Sequence, residues 1–159
     1  MKTVTQSHAV LISASLESVF DYVSDLSRHP EWSGGELKVE AVTPGPVRIG
    51  KEYISHGEVL IQKGRPNRVQ VTRFEPPYRF GFVAMDPSVG EVTHEFTLTE
   101  QPDGILVRRE MTLRLHPLPA FVFRHLVYPI VGGPSMERAM TALKSNLEMG
   151  SSIQAKNSL

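Results

Sequence analysis

The chain has 159 residues, 17 basic and 17 acidic, a formal charge of zero and no cysteine. That length suits one domain able to bury a core without covalent staples. The balanced charge gives no general pull toward nucleic acid or anionic lipid, and the missing thiols exclude disulfides, cysteine nucleophiles and cysteine metal sites.

VTQSHAVLIS predicts a first strand over residues 4–12. Ser15 reads as an N-cap with Glu17 in the first turn, where the helix dipole favours an acid. Leu16, Val19, Phe20, Val23 and Leu26 then make one helical face. Pro30 stops or redirects the chain. A short second helix is expected between Ser27 and Trp32, the only tryptophan.

From Leu37 the period changes to two. LKVEAV, KEYISHGEVLI, RVQVTRFEPP, YRFGFVAMD, GEVTHEFTLTE and ILVRREMTLRL read as strands, with TPGPVRIG, GRPN and QPDG as turns. Consecutive strands on short turns predict an antiparallel meander with one wet and one buried face.

After His116-Pro117 the pattern is helical again, with Phe121, His125 and Tyr128 on one face. Pro129 and the Gly132 to Pro134 run are expected to interrupt it, as a static kink or as the hinge of a flap. Ser135 can cap a last helix striped by Met136, Met140, Leu143 and Leu147, with Gly150 as its stop. Residues 1–149 thus read as a single domain and 150–159 as a flexible polar tail. The order is strand, two short helices, six strands and a long helix. That is α+β, a curved antiparallel sheet covered by helices. Such a sheet encloses space its own side chains need not fill, the default site for an apolar ligand. No segment is long and apolar enough for a membrane span or a signal-peptide core, so a cytoplasmic location is expected.

ISASLESVFDYVSDLSRHPEW, PGPVRIGKEY, VTRFEPPYRFGF and MERAMTALKSNLE occur in this order over almost the whole chain. Together they resemble the START-like helix-grip superfamily, also called SRPBCC, and within it the bacterial polyketide cyclase/dehydrase-like proteins. The resemblance implies a curved seven-stranded sheet wrapped around a long C-terminal helix, with two short helices after strand one. It places His29, Pro30 and Trp32 at or near a cavity entrance. There Trp32 either presents a flat apolar face to a ligand or wedges the short helix onto the sheet. No single task is implied, because the superfamily includes lipid carriers, hormone receptors, aromatic cyclases and oxygenase domains.

Polar residues on inward strand faces are the informative ones. His94 shares a face with Val92, Phe96 and Leu98, and Arg109 with Val107, Met111 and Leu113. A buried guanidinium needs a carboxylate, a carbonyl or a ligand acid. His94 and Arg109 are therefore candidates for orienting a ligand oxygen, or for acid–base work on an enolisable ketone. The alternatives are a bulge that turns Arg109 outward and a satisfied core histidine. Tyr53 and Ser55 alternate inward if Gly57 and Val59 do, with His56 then facing solvent, and a one-residue slip reverses this. His125 and Tyr128 line the cavity, cap its open end or simply pack. Met85, Met111, Met136 and Met140 would give adaptable walls. The full candidate cavity set is Trp32, Tyr53, Phe80, Phe82, His94, Phe96, Arg109, Met111, Phe121, His125, Tyr128 and Met140.

HExxH, a histidine pair at i, i+4, a phosphate-binding loop, a dinucleotide fingerprint and GxSxG are all missing, as is a basic stripe with interleaved aromatics. No metal, cofactor, nucleic-acid partner or membrane insertion is expected. Three functions stay open. The first is binding of a hydrophobic or amphipathic small molecule, lipid-, polyketide- or aromatic-like. The second is a polyketide cyclase or aromatase. The third is an interaction or regulatory module, supported if the apolar residues of Pro117 to Val131 lie outside the cavity, where they could equally serve a homodimer.

Overall fold

The structure, a computed structural model, describes residues 1–33, 36–59, 62–86 and 90–157. Strand β1 (Lys2–Ile12) leads into helix α1 (Leu16–Ser24) and a 3-10 turn (Leu26–Glu31). Strands β2 (Leu37–Ala41), β3 (Glu52–Val59), β4 (Gln62–Glu75), β5 (Arg79–Asp86), β6 (Gly90–Gln101) and β7 (Gly104–Leu115) follow. Helix α2 (Pro117–Val122), a π-helical segment (Phe123–Gly132) and helix α3 (Gly133–Asn157) complete it. The strands form one seven-stranded antiparallel sheet in the order β1-β7-β6-β5-β4-β3-β2.

Local chemistry sets the start. The Ser15 hydroxyl accepts from the Ser18 N–H at 3.2 Å, as its place before an apolar face requires. Asp25 caps the 3-10 turn in the same way, accepting from the Ser27 N–H at 3.0 Å. The apolar face of α1 then packs Val19, Phe20 and Val23 against Val71, Phe80, Phe96 and Val107 of the sheet, while α3 adds Ala139, Met140 and Leu143. Burying each of the larger side chains contributes about 1.5–3 kcal/mol.

Three sequence expectations change. GRPN is not a turn: it lies inside β4, where Pro66 pairs with His56. The register shifts between His56 and Glu58, and such an irregularity lets a residue without an N–H sit in a ladder. The end of the expected KEYISHGEVLI strand, residues 60–61, lies outside the described residues. Second, Gly150 does not stop α3, which runs on to Asn157. Ser151 and Ser152 donate their hydroxyls back to the carbonyls of Leu147 and Glu148 at 3.0 and 2.9 Å. Residues 158–159 lie outside the described residues.

Third, Pro129 and the two glycines do not break the C-terminal helix. The chain stays helical by widening to a π-helix that contains Pro129. The glycines answer to Tyr128 instead. A Cβ on Gly132 would stand 2.8 Å from Tyr128 Cδ2, and one on Gly133 would stand 3.3 Å from the Tyr128 carbonyl oxygen.

Candidate functional site

A cavity of about 400 Å³ lies between the concave face of the sheet, the 3-10 turn and the C-terminal helical run. Its floor follows from strand pairing. Met111 pairs with His94, and His94 with Phe82, so these form one cross-strand row. The next row contains Leu113, Val92 and Ala84. Phe123, Val127 and Val131 of the π-helical segment roof it, recurring every four residues, close to one turn of a helix that bonds i to i+5. Met136 and Ala139 of α3 continue the roof.

Arg109 is the cation of this space. It pairs with Phe96 in register, and its guanidinium carbon lies 5.3 Å from the Phe96 ring centre and 5.7 Å from that of Trp32. An Arg109 terminal nitrogen stands 3.3 Å from His94 Nδ1. Arginine only donates, so Nδ1 accepts and the proton of the neutral imidazole sits on Nε2. His94 stacks on Phe82 at 4.7 Å. His94 and Arg109 keep partial exposure because they face the cavity, yet protein surrounds both.

Burial sets the charges. It holds His94 well below the usual histidine range, with Arg109 and His29 adding to the effect. It holds His29 at about 3, although His29 Nε2 donates to the Val23 carbonyl at 2.8 Å. Both histidines are therefore neutral near pH 7. Burial lowers Arg109 to about 10, which leaves it protonated. Among the described residues, the buried side-chain atoms without a hydrogen-bond partner are Trp32 Nε1, Arg109 Nε and Asn67 Oδ1, and all three residues line the cavity.

The candidate residues divide into three groups. Trp32, Phe82, His94, Arg109 and Met111 line the cavity. Trp32 is wall and core at once: it is 1 % exposed, meets Phe96 edge-on at 6.1 Å and His29 at 4.4 Å, and still faces the space. Tyr53, Phe80, Phe96 and Met140 are buried in the core instead, on inward faces but covered by packing. Phe121 and His125 are a correction: both are exposed, their rings 4.6 Å apart on the outer surface. Tyr128 does not share their face. It is buried, with its hydroxyl 2.6 Å from His8 Nε2. The widened π turn is the reason, because it breaks the 3.6-residue spacing that groups these three. Met85 is also exposed, being on the opposite parity from Ala84 and Asp86.

Asp86, Asn67 and the roof residues were missed. Asp86 is buried at the cavity wall and continues the inward alternation of Phe80, Phe82 and Ala84, a signal present in the sequence. Asn67 was hidden by reading GRPN as a turn. The outer face of the C-terminal run exposes Leu118, Phe121, Leu126 and Ile130, so these apolar residues lie outside the cavity. No helix among the described residues is long and apolar enough to cross a membrane.

Solved structures share this architecture. The di-domain ARO/CYC BexL of the BE-7585A biosynthetic pathway superposes with a TM-score of 0.72 at 16% identity, over 92% of this chain and 50% of that one. The chain thus spans half the length of that protein. A START superfamily protein from Mycobacterium smegmatis gives 0.67 at 16% identity, over 91% and 97% of the two chains. Ara h 8.0201 gives 0.64 at 13% identity, over 92% and 98%. These likenesses show the fold. No curated protein matches significantly in sequence. The family model described as polyketide cyclase / dehydrase and lipid transport matches residues 1–148, and the chain belongs to that family.

Proposed function

We propose that the cavity binds a hydrophobic or amphipathic small molecule, lipid-, polyketide- or aromatic-like, with its apolar body against Phe82, Met111 and Met136 and its polar end at Arg109 and His94. One observation carries this reading. A space of about 400 Å³ with mostly apolar walls contains a protonated arginine and a neutral histidine side by side, rather than being packed shut. That volume falls in the range of roughly 300–1,000 Å³ typical of small-molecule sites.

Binding is favoured over cyclase-type turnover by the state of the titratable groups. A proton shuttle works best with a group that titrates near the working pH. His29 and His94 are held far below it, which makes them weak bases and removes the imidazolium as an acid. The test is mass spectrometry of small molecules released when the purified protein is denatured, with a titration by the neutral apolar dye N-phenyl-1-naphthylamine. A stoichiometric ligand, or saturable dye binding, supports the reading. An empty protein that also fails to bind the dye overturns it.

A further inference from the structure

Resting on that reading, we infer that the natural ligand carries one carboxylate-type negative charge, received by Arg109 together with the Trp32 and His94 N–H groups.

The inference starts from charge balance. Removing a guanidinium from water is expensive unless an opposite charge accompanies it. Among the described residues, the ion pairs are Arg28 with Glu31, Arg68 with Glu52, Arg73 with Glu75 and Glu95, and Lys144 with Glu148. None involves Arg109. The group that acts on its charge is Tyr128, not a carboxylate. Its side-chain acceptor is a neutral imidazole.

Hydrogen-bond balance points the same way. Arg109 Nε–H and Trp32 Nε1–H are buried without partners among the described residues. His94 spends Nδ1 on Arg109, so its own proton is on Nε2. The three side chains are neighbours at the cavity wall. Together they offer donors, one positive charge and no acceptor left over. An ionised carboxylate is the complement: acceptor-only, with two oxygens and one charge. A dianionic phosphate would bring a second charge that no other cation of the described wall neutralises.

The experiment displaces N-phenyl-1-naphthylamine from the full chain with dodecanoic acid, dodecanol or dodecyl phosphate at neutral pH. Charge-assisted hydrogen bonds should make the acid at least about tenfold more potent than the alcohol, and more potent than the phosphate. In Arg109→Met, acid and alcohol should displace the dye at the same concentration. Equal potency of acid and alcohol on the unaltered protein overturns the charge inference and leaves the cavity reading standing. Greater potency of the phosphate overturns the single-charge assignment. Failure of the dye and all three competitors to bind removes the cavity reading itself. The unaltered protein decides each of these even if Arg109→Met does not fold, and Arg109→Lys, which keeps the charge without the planar fork, should then retain part of the preference.

Discussion

Arg109 donates to His94 Nδ1 across 3.3 Å, from one strand to the next on the concave face of the sheet. This contact joins a full positive charge to a neutral ring, so it orients without neutralising. A pair built for stability would use a carboxylate in place of the imidazole. The same feature that makes the site a poor structural element makes it a good receiver for an anion.

The first prediction is a trade-off at Arg109. Replacing poorly compensated buried charge by an apolar side chain of similar length is often neutral or stabilising. Arg109→Met should leave the ligand-free protein equally stable or up to about 2 kcal/mol more stable in urea unfolding, while losing selectivity for acids. A loss of more than about 2 kcal/mol would assign Arg109 a structural role instead.

Stability should fall with acid in a definite window. An unfolded histidine titrates near 6.5 and His29 in the folded protein at about 3. Between these values the unfolded chain binds a proton that the folded chain does not. Stability is then full above about pH 6.5 and is lost progressively as pH falls toward about 3, with a slope of about 1.4 kcal/mol per pH unit for one histidine. His94, also held low by burial, adds to the slope in the same direction. His29→Gln, whose amide can still donate to the Val23 carbonyl, should lessen the slope by one proton. Urea titrations between about pH 7.5 and about pH 5 measure it, and identical slopes in the two proteins would refute a buried neutral His29.

Which parts were legible in the sequence follows from how local each signal is. The strand pleat is local, so alternation alone turned His94 inward with Phe96 and Arg109 inward with Met111. Their contact was not legible, because it depends on register. His94 pairs with Met111 and Arg109 with Phe96, so the two meet on a diagonal. The same pleat carried Asp86 to the wall, while Asn67 was lost because proline and glycine beside it resemble a turn. In the C-terminal run the expected 3.6-residue period grouped Phe121, His125 and Tyr128. Tertiary packing of Tyr128 against Gly132 and His8 accompanies a wider turn, and no local pattern announces that.

Two glycines of that run should respond oppositely to alanine. At Gly132 the new Cβ meets the Tyr128 ring at 2.8 Å, and Tyr128 is itself buried and bonded to His8. Gly132→Ala should destabilise by about 1–3 kcal/mol, and by less in a Tyr128→Leu background. At Gly150 nothing lies within 4 Å of the added Cβ, and the residue is inside α3. Gly150→Ala should therefore stabilise by about 0.5–1 kcal/mol through helix propensity. No gain there would mean that the helix ends before the glycine in solution.

Trp32 should report the ligand directly. It is the only tryptophan, it is 1 % exposed, and its Nε1–H faces no partner among the described residues while the ring lines the cavity. An oxygen that accepts from Nε1–H changes the polarity at the indole, whereas an apolar chain filling the far end does not. Dodecanoic acid should therefore shift the tryptophan emission more than dodecanol at equal occupancy. Trp32→Phe keeps an aromatic face against His29 and Phe96 but removes the donor. Its affinity for the acid should fall by about tenfold to a hundredfold, the worth of one hydrogen bond to a charged group, with the affinity for the alcohol nearly unchanged. Equal losses for acid and alcohol would make Trp32 a packing residue whose N–H plays no part in recognition.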